Sequence, residues 1–397
     1  MLFFLFTIKR WGEQVLMYPF VVYGRYKIPA KISSKEFDLF FFIPTYAMGG
    51  AEIVNADIIS CFPDKKICIF FTKKSENDTM LNHFRLPNTE LHDISEWTDN
   101  KKKYWQSFIW RGKCSKLINS QSVKPVVFNG QCNFAYKLSP WIDKKIRQVE
   151  LIHMCVSPFN LITVPFISFY HARIMITKNV VAEFKKLYKK LGIPARYAER
   201  IRLITNKINL PKQKPGAQKN TGVVKIFYAG RGGLQKRIEL MVRIATTLLQ
   251  KKEPVEFHFA GDFRNELPPL LPAGMIYHGI LNRDEINHFI AGKDILLMTS
   301  LFEGFPLIIM EAMSTGVVPV TTAVDGICDH ITPGYNGLLI NETDEIKIVE
   351  EGIKEIEQLS ADRALLKNLS QNAINYAFDN FNPASFAKNY REVVFNE

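Results

Sequence analysis

The 397-residue sequence has no C-x-x-C pair and no cysteine with a companion histidine; Cys61, Cys68, Cys114, Cys132, Cys155 and Cys328 stand apart. Such scatter excludes a zinc ribbon and a disulfide framework, and fits reduced, mostly buried thiols in a cytosolic protein. No apolar run reaches the roughly 18 residues of a membrane-spanning helix. The opening Met1-Leu-Phe-Phe-Leu-Phe6 is too short for that and lacks the small-residue cleavage site of a signal peptide. Fixed-period repeats and low-complexity tracts are missing too, which sets aside solenoids and disordered arrays. Neither glycine loop after a candidate strand reads G-x-G-x-x-G, against a dinucleotide-dependent dehydrogenase.

What is present is the composition of a globular chain, 47% hydrophobic and 23% charged. The length suits two domains. The net charge of +12 is uneven: residues 1–205 hold 31 Lys and Arg against 16 Asp and Glu, whereas the remainder is slightly acidic. A basic half can meet an anionic membrane or a polyanion. Lys101-Lys-Lys103 and Lys185-Lys-Leu-Tyr-Lys-Lys190 carry no nucleic-acid-binding motif around them, so nucleic acid is not expected as a partner. Residues 14–24, with aromatics beside Arg10, Arg25 and Lys27, suit either a membrane interface or packing on the first domain.

Apolar residues 37–44 end at Pro44 and read as a strand buried on both faces. Gly49 and Gly50 form a turn, and Ala51–Ile59 has helical spacing. Strand, glycine turn and helix open a doubly wound α/β domain. Residues 67–71, 125–128 and 173–176 read as further strands, and 180–191 as a helix. The polar, Pro- and Gly-bearing residues 207–221 read as a linker. A second series follows, with strands at 223–228, 257–260, 294–298 and 316–320, a helix at 237–249 and a helical tail. The expected organisation is an extension at 1–36, a first Rossmann-like domain at 37–206, the linker, a second Rossmann-like domain at 222–375, and a C-terminal helix at 376–397 that crosses back to the first domain. The two domains are expected to face a central cleft, where ligands meet the carboxyl ends of the strands.

Two loops of the second domain carry chemistry. Pro306 is placed for the first helical position after the strand 294–298, leaving free amides from Gly304 to Leu307 to receive a diphosphate. Glu303 and Glu311 bracket that terminus at two depths, suited to accepting hydrogen bonds from sugar and ribose hydroxyls. In Gly230-Arg-Gly-Gly-Leu-Gln-Lys236, glycines admit a ligand to the backbone, and Arg231 and Lys236 bring cations for a leaving diphosphate.

Gly-Gly-Ala-Glu (49–52), Gly-Arg-x4-Lys (230–236) and Glu-Gly-Phe-Pro-Leu-x3-Glu-Ala (303–312) resemble signatures of the family-four retaining glycosyltransferases, the glycosyl transferases group 1. Residues 323–327, 336–339 and 381–386 are similar as well, and the resemblance spans about 37–395. It implies the two-domain glycosyltransferase B fold and transfer of a hexose or hexosamine from a nucleotide-diphosphate sugar, UDP in preference to GDP. The acceptor would be a cell-surface glycan or a lipid-linked one. The resemblance places Gly49 and Gly50 near donor phosphates, Arg231 and Lys236 on the diphosphate, Glu303 on sugar hydroxyls, Gly304, Phe305, Pro306 and Leu307 beside phosphate and sugar, and Glu311 on the ribose. His153 falls where such enzymes carry an active-site histidine, and is expected as a catalytic residue with Glu303, Arg231 and Lys236. Cys328 departs from the pattern, standing where proline is usual. No DxD motif is evident, so no cofactor and no essential metal is expected; the nucleotide sugar is a co-substrate. The expected location is cytoplasmic, peripheral on the inner face of the plasma membrane. Competing expectations are a nucleotide-sugar epimerase of the same fold and a non-catalytic protein that binds membrane or polyanion.

Overall fold

The computed structural model describes residues 2–27, 35–155, 159–217 and 222–397, with the side chains of Phe159, Arg283 and Asp284 left aside. The expected extension and linker thus lie in part, at 1, 28–34 and 218–221, outside the described residues. The chain divides into two compact units, Met1–Ile204 with Ala384–Glu397, and Thr205–Pro383.

The first unit is built on seven parallel strands: β1 (Leu39–Ile43), β2 (Ile67–Phe71), β3 (Thr89–Asp93), β4 (Val126–Asn129), β5 (Arg147–Ile152), β6 (Ala172–Met175) and β7 (Ile201–Leu203). Their order is 3-2-1-4-5-6-7. Every residue of β1 is buried, which explains its unbroken apolar sequence: helices cover both faces of a parallel sheet. The register places Phe42 beside Phe70 and Phe41 beside Phe128, and the rings stack with centroids 5.1 and 4.4 Å apart. Local chemistry sets the helix ends. Before the helix Lys178–Leu191, the Thr177 hydroxyl accepts the Val180 amide at 3.2 Å, and Gly192, at φ 68°, closes it in the left-handed conformation.

The N-terminal segment forms one 25-residue helix, Leu2–Tyr26, with Pro19 inside it. It crosses the helix Trp105–Asn119 at glycine on glycine: a Cβ on Gly24 would overlap the Ile109 carbonyl, and one on Gly112 the Val21 carbonyl. Among the described residues no helix is long and apolar enough to cross a membrane.

The second unit has six parallel strands, β8 (Val224–Ala229), β9 (Val255–Ala260), β10 (Met275–Tyr277), β11 (Ile295–Met298), β12 (Val318–Thr322) and β13 (Leu338–Ile340), in the order 10-9-8-11-12-13. Strand order reverses between β8 and β11, which opens a crevice for ligands at their carboxyl ends.

The expected single helix at 376–397 is two. One, Arg363–Asn380, ends beside Phe381, whose ring is buried in the second unit's core, and Pro383 starts another, Pro383–Phe395. Proline has no amide to continue the first helix but fits the first turn of the next. The second helix packs on the first unit: Arg391 pairs with both carboxylate oxygens of Asp64 at 2.6 and 3.0 Å, and Phe395 meets Phe62.

Candidate functional site

The loop after β8 holds the two expected cations. Its glycines are needed for space. A Cβ on Gly261 (φ 140°), in the neighbouring loop after β9, would overlap the Gly230 carbonyl, and one on Gly232 would overlap the Glu266 carboxylate. Glu266 Oε1 accepts the Gly233 amide at 2.8 Å, and the buried Tyr228 hydroxyl donates to the Arg231 carbonyl at 2.7 Å. The Arg231 backbone is thereby fixed while its side chain remains exposed. Burial raises the Tyr228 phenol well above its ordinary range, so it stays a neutral donor.

The loop after β11 meets this one. Lys236 Nζ forms an ion pair with Glu303 Oε1, with both side chains largely buried. The Glu303 amide donates to Asp325 Oδ2 at 3.0 Å, and its carbonyl lies 3.4 Å from the Gly326 amide. Gln235 Nε2 donates to the Phe302 carbonyl at 2.8 Å, and the Leu301 amide returns a bond to the Gln235 carbonyl at 2.8 Å.

Arg237 holds the two loops together from beneath. Its backbone is left-handed, φ 49°, and its buried guanidinium donates to the carbonyls of Thr299 at 2.6 Å and Ser300 at 3.1 Å. The Thr299 hydroxyl answers with a 2.9 Å bond to the Arg237 carbonyl. Left-handed backbone is uncommon for a residue other than glycine and is held only where surroundings over-determine it.

Helix Leu307–Ser314 follows. Sequence spacing places Pro306 at the first helical position; the structure corrects this by one residue. Pro306 is the N-cap, with extended backbone (φ −64°, ψ 133°), and its carbonyl accepts the Ile309 amide at 3.1 Å. The half-in residue has only to aim its carbonyl along the helix, which proline can do. The helix N-terminus still follows Glu303 by a few residues, with Pro306 and Leu307 half-buried. Phe305 is buried against His330, with centroids 4.1 Å apart, and the His330 imidazole lies 3.0 Å from the Tyr376 hydroxyl, fixing the backbone at Gly304 and Phe305. Leu307 is half-buried at the first turn. Glu311 is half-buried inside the helix, and its carbonyl accepts the Ser314 hydroxyl at 2.8 Å. Cys328, where the resemblance expects proline, is exposed in the short 3-10 helix Asp325–Asp329.

Gly49, Gly50 and His153 belong to the first unit. Gly49 caps the helix Gly50–Ile59, and a Cβ there would strike the Glu52 carboxylate, which accepts the Thr45 hydroxyl at 2.8 Å. At Gly50 a Cβ would meet nothing. His153 directly follows β5, and its amide donates to Gln131 Oε1 at 3.1 Å. Its Nε2 is buried without a hydrogen-bond partner among the described residues, although the residue as a whole keeps some exposure. Burial pushes the imidazole down to about 4, leaving it neutral at pH 7.

The structure thus joins Lys236 to Glu303 at the strand-order reversal and sets Arg231 and the start of Leu307–Ser314 on the same pair of loops. Arg237, Asp325 and Glu266 were missed. The only sequence signal for the first was an arginine beside the expected Lys236, and for the second the Ala323–Ile327 similarity. Among the described residues no three His, Cys, Asp or Glu side chains gather as a metal site.

Residues 210–376 match the family described as Glycosyl transferases group 1. An uncharacterized 41.2 kDa protein in the cps region of Klebsiella pneumoniae is 23% identical over 239 residues, 59% of this chain and 62% of that protein. The sulfoquinovosyl transferase SQD2 of Arabidopsis thaliana is 30% identical over 144 residues, 35% of this chain and 27% of that one. The chain therefore spans less than two thirds of these curated relatives. The Anabaena protein Alr3699/HepE, solved with UDP and glucose, superposes with a TM-score of 0.69, covering 91% of this chain and 100% of that one. At 15% identity that likeness is one of fold, the glycosyltransferase B fold of two Rossmann-like domains. With both sheets parallel and the charged loops set where the second sheet reverses its order, it is residues 210–376 that match the glycosyl transferases group 1, within a chain of the glycosyltransferase B fold.

Proposed function

We propose that the chain is a retaining glycosyltransferase that moves a hexose or hexosamine from a UDP-sugar to a cell-surface glycan or lipid-linked acceptor. The observation that carries the reading is the Lys236–Glu303 pair at the β8–β11 reversal, followed a few residues on by the N-terminus of Leu307–Ser314. That terminus and the cations Arg231 and Lys236 receive the diphosphate, and stabilise the charge it gains as the glycosidic bond breaks. Glu303 accepts from sugar hydroxyls, and Glu311 from the ribose. The two cations serve the leaving group in place of a divalent ion. The Anabaena neighbour was solved with UDP and glucose, which favours UDP over GDP as donor. His153, neutral and buried at a strand end, acts as a hydrogen-bonding group in the first unit rather than as a cation. The acceptor is met at the inner face of the plasma membrane, where the basic first half faces an anionic surface.

A screen of UDP-, GDP-, ADP- and CMP-sugars by thermal shift tests this, because a donor that binds the folded state raises its melting temperature by mass action. UDP-sugars should shift the wild type, and Glu303→Ala should lose the shift. A response to none of the donors sinks the reading.

A further inference from the structure

The helix Leu2–Tyr26 turns apolar side chains outward as well as inward, where Phe3 and Phe6 pack against the first unit's core. Arg10, Met17, Val21 and Gly24 form its buried side, and Glu13, Gln14 and Arg25 flank them, half-buried. The outward face is apolar and aromatic along the helix: Phe4, Leu5, Ile8, Trp11, Val15 and Leu16, continued by Tyr18, Tyr23 and Tyr26. Trp11 is 60% exposed, and Val15 and Leu16 are 73% and 74% exposed. A helix of 25 residues is about 37 Å long, and exposed large apolar side chains recur along it from Leu2 to Tyr26; apolar patches rimmed by polar residues mark interaction surfaces.

Cations border this face. Lys9 and Lys27 are exposed on the helix and its end. The Phe20–Phe108 and Gly24–Gly112 contacts run the helix Trp105–Asn119 alongside, so that exposed Tyr104 and Trp105 and the exposed turn Lys101–Lys103 lie next to it. Lys137 ties that turn to the N-terminal helix, lying 3.4 Å from the Tyr104 hydroxyl and 3.7 Å from Glu13. Behind the helix, a cavity of about 340 Å³ is lined by Lys9, Arg10 and Lys137 against Glu13, over Phe6 and Phe166. Apolar face, aromatic edge and cationic border are what the boundary of an anionic bilayer selects.

We propose that the outward face of Leu2–Tyr26 lies in the interface of an anionic phospholipid bilayer, with Lys9, Lys27 and Lys101–Lys103 on lipid phosphates. This deepens, and rests on, the proposed membrane-side acceptor by naming the surface that reaches it. A second copy of the chain fits less well: a two-fold contact through this face would bring its lysine border near the same border of the partner, like charge against like.

Flotation with vesicles of phosphatidylglycerol in phosphatidylcholine, against phosphatidylcholine alone, tests it on the full chain. The wild type should float with the anionic vesicles and lose that binding at high salt. The Val15→Glu/Leu16→Glu variant changes two open side chains and should weaken binding by about tenfold or more. Replacing Lys101, Lys102 and Lys103 by Gln should weaken it by about fivefold per lysine. Unchanged circular dichroism and an unchanged UDP-sugar thermal shift show that the variants are folded. Equal flotation of wild type and Val15→Glu/Leu16→Glu overturns the proposal. So does a wild-type dimer that floats with neither vesicle and that this variant splits. Vesicle binding without any donor shift would remove the donor reading and leave this one standing; donor shift without vesicle binding would do the reverse.

Discussion

Lys236 and Glu303, 67 residues apart, form an ion pair between the loops after β8 and β11. Both side chains are largely buried, so removing one leaves the other without its partner in the site. Lys236→Met and Glu303→Gln are each expected to lower kcat/KM by at least about 100-fold, the loss typical of one removed stabiliser of transition-state charge. Groups that act as a unit are not additive. The double variant should therefore fall little further than either single one in steady-state kinetics; multiplied losses would show that the two act separately.

Arg237 offers a different test because its reach is structural. It is buried, left-handed and bonded to two carbonyls of the β11 loop. Arg237→Ala leaves those carbonyls unmet and keeps an unfavourable φ, and should cost about 2 to 4 kcal/mol in urea unfolding. Arg237→Lys should rescue little, since an ammonium cannot repeat the planar fork. An Ala variant as stable as the wild type would mean that the loops hold each other without it.

Much of this was legible in the sequence, and the reason differs by element. Strand β1 could be read because a strand buried on both faces must be apolar throughout, and β11 announces itself in the same way, while β8 and β9 are apolar apart from Lys225, Glu256 and His258. The Glu303–Glu311 segment was legible because it joins a strand end, a proline and two acids at fixed spacing. Arg237 was not, since left-handed backbone at a non-glycine residue is imposed by its tertiary partners. Pro306 was misplaced by one position because proline is sterically acceptable both at the cap and just inside it. The N-terminal helix stayed ambiguous because its buried and exposed faces are both apolar, and periodicity separates faces only when they differ.

The glycine crossing of that helix can be tested directly. Gly24→Leu would force a side chain into the Ile109 carbonyl, with no flexible neighbour to give way. Overpacking of this kind costs about 1 to 3 kcal/mol. The strain can be relieved by lifting Leu2–Tyr26 from Trp105–Asn119. Faster amide exchange confined to residues 2–26 is the expected result, with the second unit unchanged. Gly12→Leu, at a position where a Cβ meets nothing, should leave exchange as in the wild type. Equal protection in both variants would mean that the glycine contact is not what seats the helix.

His153 gives the pH dependence a sign. Its imidazole titrates at about 4 in the folded chain because burial disfavours the charged form, and in the unfolded chain near the ordinary 6.5. Between these values the unfolded state holds a proton that the folded state lacks, so the unfolded state gains as pH falls. The stability associated with neutral His153 is complete above about pH 6.5 and is lost toward about pH 4, with a span of about 2 to 3 kcal/mol. Other groups titrate in the same window, so the informative quantity is the difference between wild type and His153→Gln, which cannot protonate. Urea unfolding of both at about pH 7 and about pH 4.5 should show the wild type losing more stability than the variant on acidification. Parallel losses would mean that His153 is protonated in the folded chain too, and that its imidazole reaches solvent or an acceptor before pH 4.5.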